Sequence, residues 1–417
     1  MGNYIKRFTD ITLQNRLRLS GAVLIQGAKG CGKTETAVQA AKSLARLDTD
    51  DEIRMRMEIS PKSVLEGPVP RLLDEWQEYP QIWNYVRREV DDRKKKGQFI
   101  LTGSATPEER ARLHSGAGRF SVIKMRPMSL FEKGWSSGEV SLSKIMKGGA
   151  PKSGSVEFDL KSLAEKITLG GWPGLIGAGG RAALRFVQDY IALIAEVDIS
   201  RFGGKRRDPW KVMRLLQSLA RNISTEASLT SLAKDAGGSQ VTLNDETVTE
   251  YLEALERLMV VEQLPAWSPH IRSADTLRKT PKRHFVDPSL AVGTLGLSTG
   301  KLMADLNYFG FLFESLVIRD LRIYADVNDG KVCHYRDSRD MEIDAIVEYP
   351  DGVWAAFEVK MGFSAQDEAA ANLLAFVKKI DRKKMGPPAA LTIITANGFA
   401  CRRKDGVNVV PLSALTA

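Results

Sequence analysis

Histidine is scarce in this 417-residue chain, with four, and cysteine is scarcer, with three. Cys31, Cys333 and Cys401 lie far apart and spell neither a zinc-ligand spacing nor a disulfide framework, so a reducing cytoplasm is the expected setting. His114, His270, His284 and His334 are scattered, which leaves chemistry by a histidine constellation without a basis. No apolar run reaches the length needed to cross a bilayer, and the start MGNYIKRFTD lacks the apolar stretch of a signal peptide, so no membrane partner is expected. Internal repeats are also missing.

What is present is an ordinary globular balance, 43% hydrophobic and 27% charged, enough for two or three domains with separate cores. The net charge of +9 favours contact with phosphates or acidic partners only weakly over such a length. Its basic clusters, such as Lys94-Lys95-Lys96 and Arg402-Arg403-Lys404, each read alone as a solvated face.

Residues 1–133 alternate strand-like runs (Ala22–Ile25, Arg71–Leu73, Phe99–Leu101, Val122–Met125) with helical patterns. The helix after the first run is expected to carry Ala37, Ala40, Ala41 and Leu44 on one stripe. Such alternation predicts a three-layer α/β domain with a mostly parallel sheet. Residues 134–155 are rich in Gly, Ser and Lys and read as a loop or linker, opening a segment 134–210. The rest to residue 300 is mainly helical, and 301–417 is a second α/β unit.

The strongest motif follows the first strand: Gly27-Ala28-Lys29-Gly30-Cys31-Gly32-Lys33-Thr34, or G-x-x-x-x-G-K-[ST], between a strand and a helix. Its glycines let backbone N–H groups converge on a phosphate, and the helix adds its positive end. Gly27, Gly30, Cys31, Gly32, Lys33 and Thr34 are the expected ATP-binding residues, Lys33 on the β- and γ-phosphates and Thr34 on Mg²⁺. Asp74 and Glu75 close the next strand, Asp74 to hold the metal and Glu75 to activate water. Thr102 or Ser104, at a third strand tip, is a γ-phosphate sensor or a satisfied turn. Arg119, on the glycine-rich Ser115–Phe120 loop, is an arginine finger in cis or from a second copy, or a plain surface arginine.

In the last unit, Met341–Tyr349 and Val353–Lys360 alternate around Pro350-Asp351-Gly352, a three-residue hairpin loop. Pairing Tyr349 with Val353 sets Asp344 opposite Glu358 and Glu342 opposite Lys360 on one face. Two facing carboxylates call for a cation, as in a Mg²⁺ nuclease with Asp344 and Glu358 as ligands and Lys360 stabilising charge. Glu314, upstream on a helix, is a further ligand candidate. A polar outer face with a Glu342–Lys360 pair gives the same alternation. Asp245–Met259 reads as a helix whose outer face carries Glu246, Glu250, Glu253 and Glu256, which opposes DNA reading and favours a packing or protein-contact role.

These segments, with LTGSATP, GGWPG, HFVDPSLA and FGFLFESLVIRDL, resemble in order a group of bacterial and archaeal AAA-type ATPases fused to a C-terminal domain of unknown function. The resemblance implies Lys33, Thr34, Asp74 and Glu75 in the usual ATPase roles and Arg119 as the finger. It implies a winged helix within 211–300 and a restriction-endonuclease-like core within 301–417, and the spacing D-x13-E-x-K is similar to the PD-(D/E)xK pattern. The expectation is an ATP- and Mg²⁺-using ATPase that moves a nuclease-like domain on DNA or RNA. Its rival is an ATP-driven switch or assembly protein with a protein partner and no nuclease chemistry. A small-molecule kinase fits less well, because the Asp74-Glu75 pair suits attack by water.

Overall fold

A computed structural model describes residues 4–103, 115–154, 159–199, 207–237, 243–268 and 280–417. The chain divides into two compact units, residues 1–127 with 255–260, and 128–254 with 261–417.

In the first unit, helix α1 (Phe8–Leu19) precedes β1 (Ala22–Gly27), α2 (Lys33–Ala40), β2 (Ser43–Arg46) and α3 (Asp51–Ile59). Then come β3 (Arg71–Asp74), α4 (Ile82–Arg93), β4 (Phe99–Gly103) and β5 (Phe120–Met125). All five strands are parallel, in the order β2-β3-β4-β1-β5. β3 begins only at Arg71, because Pro70 has no N–H to donate to a ladder. The expected helical stripe ends early. α2 stops at Ala40 and Leu44 lies in β2, a strand whose half-buried sequence Ser-Leu-Ala-Arg carries little apolar signal. Trp76, Trp83, Val86, Phe99 and Leu101 form a core between sheet and α4, with Trp83 stacked on Phe120 at 3.8 Å.

The second unit opens with a correction. Residues 134–155 contain a strand β6 (Val140–Ser141), paired in parallel with Leu415–Thr416, and a helical turn α5 (Leu142–Ile145). Val140, Leu142, Ile145 and Met146 are buried, and their apolar area outweighs the surrounding glycine and serine. Helices α6 (Leu160–Leu169), α7 (Gly180–Leu193), α8 (Pro209–Arg221), α9 (Leu229–Gly237) and α10 (Asp245–Arg257) follow. β7 (Val261–Leu264) and β8 (Lys282–Phe285) make an antiparallel pair. α11 (Pro288–Thr294), α12 (Thr299–Ala304) and α13 (Leu306–Asp326) lead into the last sheet. On α10, Glu246 and Glu253 are exposed, whereas half-buried Glu250 pairs with Arg207 at 3.0 Å.

The GGWPG and HFVDPSLA segments meet in this unit. Asp287 caps α11 through Ser289 N–H at 3.0 Å and accepts from Gly171 N–H at 2.9 Å. Arg319 of α13 bonds Asp287 and Asp320 at 2.7 Å each, and Asp320 in turn holds the Leu130 N–H at 2.9 Å. All three charged side chains are buried, so each depends on the others for solvation.

The last sheet runs β13-β14-β12-β11-β10-β9, built from β9 (Lys331–Arg336), β10 (Glu342–Glu348), β11 (Trp354–Lys360), β12 (Ala390–Thr395), β13 (Cys401–Arg402) and β14 (Asn408–Pro411). Helix α14 (Gln366–Lys379) covers it, burying Leu373 and Phe376 against Trp354 and Ile393. The β10–β11 hairpin has the expected register, Ala345 opposite Phe357 and Glu348 opposite Trp354. Its loop is closed by Tyr349 N–H to Val353 O at 2.8 Å, with Gly352 at φ +83°, where a Cβ would be strained.

Candidate functional site

The loop after β1 is shaped by its glycines. A Cβ on Gly27 would collide with the Met125 carbonyl, and Gly32 at φ +101° turns the chain into α2. Nothing lies within 4 Å of where a Cβ on Gly30 would project. Cys31 points inward, with its buried Sγ donating to Met125 O at 3.5 Å. Lys33 curls over the loop, its Nζ donating to Gly27 O and Ala28 O at 3.0 Å each.

Asp74 and Thr102 are register partners on β3 and β4, so their side chains meet across the sheet. Thr34 Oγ1 donates to Asp74 Oδ1 at 2.9 Å, and Thr102 Oγ1 donates to the same oxygen. The P-loop threonine, the strand-end acid and the strand-tip threonine, far apart in sequence, thus converge on one oxygen. Ser104 lies outside the described residues. Glu75 follows in a left-handed conformation, φ 53° and ψ 46°, and accepts a hydrogen bond from Gln77 Nε2. Burial pushes the Glu75 carboxyl above its usual range, opposed by the Gln77 hydrogen bond and the Lys33 charge.

Arg119 is not brought to this cluster. It precedes Phe120, the partner of Ala22 at the start of β1, whereas the P-loop leaves β1 at Gly27, the partner of Met125. Five strand residues, about 17 Å, separate the two ends. Arg119 instead bonds Asp91 of α4 at 2.9 Å and the Ala117 carbonyl at 3.1 Å. The cis finger expected as one alternative is therefore corrected: β5 lies beside β1, but parallel pairing puts the loop before β5 at the opposite end of the strands from the P-loop.

In the second unit a cavity of about 520 Å³ is lined by Lys282, Phe311, Glu314, Glu342, Asp344, Glu358, Lys360 and Asn372, among others. Asp344 Oδ2 accepts from Val359 N–H at 2.8 Å, and Glu358 bonds Lys360 at 3.1 Å and Asn372 at 2.8 Å. Burial and the neighbouring Asp344 carboxylate push Glu358 well above the usual carboxylate range. The other expectations change. Lys282, 3% exposed, sits 2.8 Å from Glu314, 2.6 Å from Glu342 and 3.8 Å from Asp344. Its charge is held on by these three acids and pulls Glu342 below its usual range.

Glu314 is therefore an ion-pair partner of Lys282. Among the described residues no three His, Cys, Asp or Glu side chains form a metal-ligand group. Glu342 pairs with Lys282, not with Lys360 as the register alone predicts. Lys282 was invisible as a site residue because nothing in its own segment announces that β8 approaches α13 and β10. Gln77 and Asn372 were passed over because an amide carries no charge pattern. His284 and His334 are both buried, with His284 held well below its usual range by burial; His114 and His270 lie outside the described residues. Among the described residues no helix is long and apolar enough to cross a membrane.

Residues 20–133 match the profile of an AAA domain. Residues 160–301 and 309–415 match two domains of unknown function, DUF8612 and DUF4143. Uncharacterized proteins of Mycobacterium bovis and Mycobacterium tuberculosis are each 24% identical over 362 residues, which is 85% of this chain and 74% of theirs. Among solved structures, a Walker-type ATPase of Pyrococcus abyssi is 12% identical, covers 70% of this chain and 96% of its own, and has a TM-score of 0.43. With the P-loop geometry, the AAA match makes the first unit an AAA-type ATPase domain that binds and hydrolyses ATP.

Proposed function

We propose that ATP is held at Gly27–Thr34, that Thr34 and Asp74 would hold Mg²⁺, that Glu75 activates the attacking water, and that nucleotide state controls a C-terminal pocket that binds or cuts nucleic acid. The observation that carries the first part is the convergence of Thr34, Asp74 and Thr102. A hydroxyl beside a carboxylate is a hard-oxygen donor set that suits Mg²⁺, and the one nearby thiol, Cys31, points away from it. Mg²⁺, when bound, screens the charge of the β- and γ-phosphates. Lys33 turns from the loop carbonyls to the phosphates. Glu75 accepts a proton as the water oxygen bonds the γ-phosphorus and the bond to the ADP oxygen breaks. Thr102 holds the Asp74 carboxylate in place through its hydroxyl.

The test is turnover and nucleotide binding by Lys33→Ala and Glu75→Gln. Lys33→Ala is expected to lose both, and Glu75→Gln to bind ATP while hydrolysis falls by about two or more orders of magnitude. Wild-type hydrolysis in both variants would overturn the assignment.

For the pocket, Asp344 and Glu358 supply two adjoining carboxylates and Lys360 a cation beside them, a set that suits one divalent ion and a phosphodiester. Labelled single- and double-stranded DNA and RNA are expected to be cut with Mn²⁺ or Mg²⁺ present, and Lys360→Ala to abolish cutting. A second reading, an ATP-driven switch or assembly protein without nuclease chemistry, is favoured by Lys282, whose ammonium already pairs with Glu314 and Glu342. It predicts no cleavage of any of the four substrates. Arg119, restricted to action on a neighbouring copy, makes ATP-dependent self-association the second assay for that reading.

A further inference from the structure

We propose that Gln77 is a positioning residue for ATP hydrolysis: its side-chain amide clamps the Glu75 carboxylate in the orientation that accepts the proton of the attacking water. This rests on the role proposed above for Glu75.

The geometry is local and unusual. β3 ends at Asp74, and Glu75 adopts φ 53°, a left-handed conformation that strains a non-glycine residue. That reversal starts a tight turn, closed by Glu78 N–H to Glu75 O at 3.1 Å, which brings Gln77 back under Glu75. Gln77 Nε2 then donates to Glu75 Oε2. The other end of the same amide is left bare. Gln77 Oε1 is buried and has no hydrogen-bond partner among the described residues. An orphaned buried oxygen costs stability, so a side chain placed for stability alone would have satisfied it. The oxygen lies against Gly103 at the tip of β4, next to Thr102, and a Cβ at position 103 would collide with it. Glycine there makes the room the amide needs. Strain at Glu75, an unsatisfied oxygen and a missing Cβ converge on one arrangement, in which the amide nitrogen is committed to the carboxylate.

A carboxylate with only its own side-chain torsions to hold it samples several orientations, of which one serves the water. Removing the clamp should therefore lower the chemical step and leave nucleotide binding alone. The experiment is a cycle of wild type, Gln77→Met, Glu75→Gln and the double variant in the full-length protein. It reads kcat and KM for ATP with Mg²⁺, affinity for a fluorescent ATP analogue, and Tm. Gln77→Met keeps length and loses the donor. Its expected result is a kcat lower by about ten- to a hundred-fold with KM and affinity within about twofold. In the Glu75→Gln background the same change is expected to cost nothing more, because the carboxylate it positions is gone.

An unchanged kcat in Gln77→Met overturns the inference, as does an equal loss in both backgrounds or a change confined to KM. Should Gln77→Met fold poorly, Gln77→Glu keeps size and polarity but sets a second carboxylate against Glu75; it is expected to lose kcat too, and wild-type turnover would overturn the inference equally. Failure of the underlying reading looks different: Glu75→Gln itself would then hydrolyse ATP like wild type.

Discussion

A buried cation sets the energetics of the second pocket. Lys282 is the shared counter-ion of Glu314, Glu342 and Asp344, so its loss leaves buried carboxylates without the cation that offsets their desolvation. Lys282→Met is expected to cost about 3–5 kcal/mol in denaturant unfolding near neutral pH. The sign of its pH dependence follows from the acids. Without Lys282 the Glu314 and Glu342 carboxyls lose the charge that holds them down, so the folded form binds protons more tightly than the unfolded chain, and stability is lost as pH rises. The deficit relative to wild type should thus be smaller at about pH 5 than at about pH 8. Glu358 obeys the same rule in the wild type, since burial and Asp344 raise its pKa. A divalent cation needs it ionised, so Mn²⁺ affinity measured by calorimetry is expected to increase with pH through a window above the ordinary carboxylate range. A pH-independent affinity would remove Glu358 from the ligand set.

Among the elements, α4 and the turn before β5 carry separable burdens. Trp83 of α4 is buried against Trp76 and stacked on Phe120, and Trp83→Ala is expected to cost about 3–5 kcal/mol in the first unit. Arg119, on the turn, is 43% exposed and bound to Asp91, a solvent-screened pair that adds little to stability. Arg119→Ala should accordingly leave Tm nearly unchanged while lowering kcat by about a thousand-fold if a second copy supplies the finger, a loss that added Arg119-competent, Lys33→Ala protein restores by forming mixed assemblies. Legibility differed by element type. The P-loop and β3 were readable because a glycine pattern and two prolines mark them in place. β2 was not, since a four-residue strand with a single fully buried side chain, Ala45, imitates the end of a helix, and β6 was hidden in a glycine- and serine-rich stretch that borrows its partner from Leu415–Thr416.

At the scale of the whole molecule, two compact units share one chain, and the proposed nucleotide site lies in the first. ATP and Mg²⁺ at about a hundred times the Kd are expected to stabilise the first unit by about 2.7 kcal/mol, seen as a raised Tm that Lys33→Ala abolishes. What could be read from residue order was whatever is coded locally: the phosphate loop, the acid pair after it, and the hairpin whose three-residue loop set Asp344 towards Glu358. These follow from backbone conformation and side-chain period over a few positions. Folding alone decided the rest. Parallel pairing carried Arg119 to the end of the strands away from the P-loop, Thr102 reached Asp74 only as its strand neighbour, and β8 delivered Lys282 between acids from α13 and β10. In each case the partner is supplied by a distant segment, and neither spacing nor period encodes which strand lies beside which.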